Sequence, residues 1–114
     1  MDPVTGDALR GHLEALILAA LQRGEAHGFE VWRRLEAAGG GGLRLKEGSL
    51  YPALYRLEGA GLIRAEWEDG ASGRRGPRRK VYRLTPKGTR RLAAARHEWH
   101  HFVAVIGGIL EAPA

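Results

Sequence analysis

In GSLYPALYRLEGAGLI (Gly48–Ile63) one kind of backbone pattern gives way to another. Leu50, Leu54 and Leu57 recur at helical spacing, so one face of this segment is apolar. Proline suits only the first turn of a helix, where its missing N–H costs nothing. Pro52 therefore places the helix start close to Gly48 and Ser49. The GAG triplet, Gly59–Gly61, ends the helix. Ile63 then opens a period-two alternation, with Ile63, Ala65 and Trp67 set against Arg64, Glu66 and Glu68.

Downstream, KVYRL (Lys80–Leu84) alternates in the same way. Between the two runs lies DGASGRRGPRR, rich in glycine and arginine, so the pair reads as a β-hairpin with a long basic tip. Thr85-Pro86 supplies a capping hydroxyl followed by proline at the first helical position. The last helix runs to about Glu111. Its apolar positions Leu92, Ala95, Trp99, Phe102 or Val103, Ile106, and Ile109 or Leu110 step by three and four like a coiled-coil seam.

Upstream, Leu9, Leu13, Leu16, Ile17, Ala20 and Leu21 form the apolar face of a first helix, with Asp7 as its cap and Gly24 at its end. A second helix begins near His27, carries Phe29, Trp32 and Leu35 on one face, and stops at the run Gly39–Gly42. LRL (Leu43–Leu45) alternates and is short enough for a small strand. The expected order is helix, helix, helix, strand, basic loop, strand, long helix. The expected fold class is mainly α (α+β): a winged helix-turn-helix with a two-stranded β-wing over residues 1–85 and a long C-terminal dimerisation helix over 86–114. Such a fold sets the N-terminal part of its second helix-turn-helix helix in the DNA major groove. Here that element is the third helix of the chain.

Charge supports this reading. Residues 1–69 carry a net charge of −3 and residues 70–114 a net of +8. All ten basic residues of the second part lie between Arg74 and Arg96, where no acid interrupts them. A field so concentrated suits a polyanion, most simply nucleic acid. The chain of 114 residues has no cysteine, which removes disulfides, thiolate metal sites and cysteine nucleophiles. With no apolar run of membrane-span length and no signal-peptide pattern, the expected location is cytoplasmic, with no membrane partner.

Candidate contacts follow from side-chain chemistry. Tyr51 and Tyr55 share a helix face and, with Lys46, Ser49 and Arg56, form a polar surface opposite the leucines. Hydroxyls and cations of this kind reach phosphates and base edges. A second arrangement is open, in which Tyr55 packs against the wing and Tyr51 alone meets DNA. Arg74, Arg75, Arg78, Arg79 and Lys80 crowd a glycine-flanked tip that suits phosphates or a narrow minor groove. His27 stands where it can donate to a phosphate or serve merely as a cap-region residue.

GSLYPALYRLEGAGLI resembles the corresponding segment of the PadR family of bacterial transcriptional regulators. LRGHLEALILAAL (Leu9–Leu21), HGFEV (His27–Val31) and GRRGPRRKVYRLTPKG (Gly73–Gly88) are similar to that family's first helix, the start of its second, and its wing with the beginning of its last helix. The length resembles the short branch with one C-terminal helix. The resemblance implies a homodimeric repressor of a palindromic double-stranded DNA operator. Ser49, Tyr51 and Pro52 are then placed where the recognition helix meets DNA, and Arg74, Arg75, Arg78 and Arg79 on the wing. His27 gains a phosphate-contacting role by the same match. Phe29 departs from the family's usual tyrosine, and Gly76-Pro77 lengthens the wing. Some short members bind flat aromatic molecules between their C-terminal helices, which makes Trp99 the candidate for such an effector. Leu9, Leu13, Leu92, Trp99, Phe102, Val103 and Ile106 are the expected dimer interface or effector pocket. The alternative is a constitutive DNA-binding dimer without a ligand.

HEWHH (His97–His101) also matches H-E-x-x-H, the pattern of two zinc-binding histidines and a catalytic glutamate on a helix. A catalytic zinc needs a third protein ligand and an open position. Downstream, Glu111 is the only other carboxylate side chain, at the frayed helix end. No enzyme, cofactor or bound metal is therefore expected. Metal binding through His97 and His101, with His100 beside them, is the distant alternative.

Overall fold

The structure is a computed structural model that describes residues 3–9, 11–68 and 79–113. Helices α1 (Gly6–Leu9), α2 (Leu13–Gln22), α3 (Gly28–Ala38), α4 (Glu47–Gly59) and α5 (Pro86–Leu110) enclose a small antiparallel sheet. Its strands β1 (Ala26–His27), β2 (Ile63–Trp67) and β3 (Lys80–Leu84) run in the order β1-β3-β2. β2 and β3 pair from Ile63 opposite Leu84 to Trp67 opposite Lys80, the hairpin expected from their alternation. β1 adds a third strand, with Ala26 opposite Tyr82 and His27 opposite Val81. The sheet therefore has one strand more than the wing read from the sequence. Two residues are too few to show a period.

Three further expectations are corrected. The first helix is broken: Gly11 sits at φ +85°, a left-handed conformation that costs glycine little, and it separates α1 from α2. Asp7, expected as its cap, falls inside α1, and its side chain lies outside the described residues. The segment Leu43–Leu45 makes no strand but a single parallel bridge, Val4 to Leu43. Finally, α4 begins at Glu47, so Pro52 stands in its second turn. The Gly48 carbonyl loses its usual donor there. Both residues are exposed, so water can take the donor's place.

The end of α4 follows the expected chemistry closely. Gly61 lies at φ +74°. Its N–H bonds the Glu58 carbonyl at 3.0 Å, and that of Leu62 bonds Leu57 at 3.0 Å. This is the paired pattern of a Schellman cap, and it aims the chain into β2. Thr85 caps α5 by accepting from the Gly88 N–H at 3.0 Å, with Pro86 at the first helical position.

The core lies where α2, α3 and α4 meet the inner face of the β2–β3 hairpin. Ile17, Leu18, Val31, Leu50, Leu54, Leu57 and Ile63 are fully buried there. Each such side chain contributes on the order of 1.5–3 kcal/mol of burial free energy. Gly88 and Leu92 at the start of α5 join this core, whereas from Arg96 onward almost every residue of α5 is exposed. The helix thus begins inside the body and ends as an arm.

Candidate nucleic-acid interface

The leucine face of α4 is buried, so its opposite face must look outward. Ser49, Tyr51, Pro52, Tyr55 and Arg56 are all exposed, as is Lys46 at the N-cap. No side chain caps this N-terminus. Its N–H groups and the Lys46 ammonium carry positive charge there, with the Glu47 carboxylate opposing it in the same turn. Tyr55 is 77% exposed and therefore does not pack against the wing root. Arg56 turns to the flank of the helix, where its Nε lies 3.1 Å from Oε1 of Glu14 on α2.

The segment leading into α4 is held from several sides. The Trp32 indole N–H donates to the Leu45 carbonyl at 2.8 Å, and the Leu45 N–H donates to the Glu36 carboxylate at 3.4 Å. Val4 brackets the same segment. Its N–H donates to Gly42 at 2.7 Å, and its carbonyl accepts from Arg44 at 2.9 Å. The recognition-helix start is thereby tied to α3 and to the N-terminal residues.

Beside α4, the root of the wing forms a cleft of about 350 Å³ where α3, α4, β2 and β3 converge. Its walls are Phe29, Tyr51, Trp67 and Tyr82, with His27, Arg79 and Lys80 supplying positive or donor groups. The Lys80 ammonium lies 3.3 Å from Oε1 of Glu58 and 5.6 Å from the centre of the Trp67 ring. Nε2 of His27 lies 3.0 Å from Oε2 of Glu68. An ionised carboxylate only accepts, so the imidazole donates from Nε2. Nε of Arg79 is 3.9 Å from the same oxygen. Burial pushes the Tyr82 phenol above its ordinary pKa, against the opposing pull of Lys80. Arg74, Arg75 and Arg78 lie outside the described residues.

Phe29 and Trp67 were both placed on apolar faces by their periodicity, yet each is about half exposed, at 52% and 53%. Phe29 sits in the first turn of α3 and leans on Trp32, with ring centres 5.5 Å apart. Trp67 ends β2, where it lines the open cleft at the wing root. In the strand pattern Glu68 counts only as a residue set against the apolar positions. Its contact with His27 spans 41 residues of sequence and left no local sign.

A second concavity, of about 570 Å³, lies between α1, α2 and α5. Leu9, Leu92, Leu16, Ala95, Trp99 and Phe102 contribute to its lining. His12 meets the Trp99 ring edge-on at 5.6 Å, and Trp99 stacks on Phe102 at 5.9 Å. The seam read from the sequence divides here. Leu9 and Leu92 are buried in the chain's own core and Leu13 packs against it, whereas Trp99, Phe102, Val103 and Ile106 are exposed.

HEWHH lies within α5. His97, His100 and His101 are exposed, and Glu98 is engaged by Arg91 at 3.2 Å. Among the described residues, no three metal-capable side chains converge. None of the helices is long and apolar enough to cross a membrane, among the described residues.

Comparison with known proteins agrees with this architecture. A transcriptional regulator from Clostridium thermocellum superposes with a TM-score of 0.83 at 28% identity, covering 93% of this chain and 100% of that one. A PadR family transcriptional regulator from Eggerthella lenta gives 0.78 at 35% identity, covering 91% and 86%. An uncharacterised protein of Lysinibacillus sphaericus is 30% identical over 108 residues, spanning 95% of this chain and 96% of its own length. The model of the transcriptional regulator PadR-like family matches residues 17–94, from the middle of α2 into α5. With its helix-turn-helix and wing in place, the chain belongs to this family of DNA-binding transcriptional regulators and not to an enzyme family.

Proposed function

We propose that the protein is a homodimeric repressor that reads a palindromic operator with α4 and grips the flanking backbone with its wing. The observation that carries this reading is the outward face of α4. Lys46, Ser49, Tyr51 and Tyr55 stand exposed at the start and along the outer face of α4, and Tyr51 shares a cleft with Arg79 at the wing root. Residues 1–85 then act as the reading domain and 86–114 as the dimerisation helix. His27, Arg74, Arg75, Arg78, Arg79 and Lys80 contact phosphates, while Ser49, Tyr51, Pro52 and Tyr55 approach base edges. Arg56 is held at the flank by Glu14 and serves the backbone there.

Dimerisation is supported by the exposed arm of α5. Trp99, Phe102, Val103 and Ile106 present an apolar stripe that water covers in the single chain. A partner helix covers it in the dimer, and a two-fold axis then sets the spacing of the two α4 helices. The groove beside Trp99 suits a flat aromatic effector. Such a ligand releases DNA only if it prefers a subunit spacing unlike the DNA-bound one. The compartment is the cytoplasm, where the DNA is.

The test is binding to the DNA just upstream of the protein's own gene, against a scrambled duplex, across a salt series. Preference for the upstream fragment that persists at moderate salt supports the reading. Equal, salt-fragile binding to both duplexes contradicts self-regulation and leaves only a basic surface.

A further inference from the structure

We propose that His27 and Arg79 form a phosphate site at the wing root which the chain's own Glu68 occupies when DNA is absent. This rests on the DNA reading above and adds an internal competitor to it. Glu68 follows β2 directly, and its N–H is fixed to the Arg79 carbonyl at 2.7 Å. From that position its Oε2 faces the His27 imidazole at 3.0 Å and the Arg79 guanidinium at 3.9 Å. The two donors come from β1 and from the residue just before β3, and they converge on one oxygen. An oxygen anion held between an imidazole and a guanidinium has the chemistry of a phosphate oxygen.

The location gives the contact its meaning. His27 and Arg79 line the same cleft as Tyr51 of α4. A duplex seated on α4 brings its backbone toward this cleft. The carboxylate opposes that approach twice, by like charge and by holding the donors a phosphate needs. The contact is open to exchange, because the side chains of His27 and Glu68 are 29% and 42% exposed. Both effects act on the backbone, so they restrain binding to DNA of any sequence. Glu66, two residues earlier on the same strand, carries the same charge but leans toward Arg64 at 3.8 Å. It therefore serves as a matched control.

The experiment compares the full chain with Glu68→Gln, Glu66→Gln and the double variant His27→Ala/Glu68→Gln, using a fluorescein-labelled scrambled duplex across a salt series. Glu68→Gln should bind about three- to tenfold more tightly, the effect of one or two half-exposed ion pairs. Its plot of log affinity against log salt should steepen by up to roughly 0.9 for each subunit bound, one further phosphate neutralised per subunit. Glu66→Gln should gain clearly less, and the double variant should lose most of the gain. An equal gain in Glu66→Gln, or a gain that survives loss of His27, reduces the effect to net charge and overturns the proposal. So does unchanged or weaker binding by Glu68→Gln while the unaltered chain binds normally. If the unaltered chain binds no duplex at all, the DNA reading itself falls, and this proposal with it.

Discussion

The Tyr51 ring lies so close to Gly28 that a Cβ built on the glycine would stand 2.8 Å from Cε1 and 3.1 Å from the phenol oxygen. The first residue of α3 is thereby a seat for a side chain of α4. The obstructed group is the outer part of a side chain, so Gly28→Ala should push the ring aside and leave the backbone in place. Alanine also favours the helix over glycine by up to about 1 kcal/mol. The expected outcome is operator affinity reduced about tenfold with little change in melting temperature. Fluorescence anisotropy and thermal denaturation of one preparation check both halves.

Gly88 presents the opposite case. A Cβ there would lie 2.0 Å from the Leu62 carbonyl oxygen, which is backbone and cannot step aside. Gly88→Ala should destabilise the fold by about 3 kcal/mol or more. An unaltered denaturation midpoint would contradict the close packing of α5 on the turn between α4 and β2.

Trp99→Ala should weaken self-association at least about tenfold, the usual effect of removing a large aromatic anchor from an interface. Ile106→Glu should do more, because it buries a charge without a partner. Sedimentation velocity across a concentration series reads both. Variants that stay dimeric at the lowest concentration would move the interface away from the α5 arm.

Replacing Arg74, Arg75, Arg78 and Arg79 together with alanine should flatten the salt dependence of DNA binding. Each lost phosphate contact removes roughly 0.9 from the slope. A slope equal to that of the unaltered chain would take the wing off the DNA.

Tyr82 predicts an alkaline limit. Its pKa is raised by burial, so the folded state holds the phenolic proton more tightly than the unfolded state does. The associated stability is complete below the ordinary tyrosine pKa of about 10 and is lost as pH rises through the folded value. Melting temperature measured from pH 9 upward should fall more steeply for the unaltered chain than for Tyr82→Phe. Parallel curves would mean that this phenol does not govern alkaline unfolding.

The residues that announced the fold are those whose chemistry is local. Thr85-Pro86 caps and starts a helix by itself, Gly61 ends one by itself, and the alternation from Ile63 to Trp67 needs no distant partner. What the chain conceals depends on contacts far apart in sequence. β1 exists because Ala26 and His27 meet β3 more than fifty residues later. His27 finds Glu68 only once that sheet has formed. The stripe on α5 reads as one seam, but it serves two purposes. Leu92 is drawn into the chain's own core, while Trp99 and Ile106, on the same periodicity, remain outside. Pro52 misled for a physical reason: its lost hydrogen bond falls on a solvent-facing carbonyl, where water replaces it.

Chain ends usually tolerate trimming or extension because little depends on them. Val4 is different, since its N–H and carbonyl bracket the segment that launches α4. Removing the first five residues would leave the Gly42 carbonyl and the Arg44 N–H to solvent and free one side of that segment. The backbone of Val4 is thus a brace on the segment that launches α4, and anything that pulls residue 4 away slackens the start of that helix.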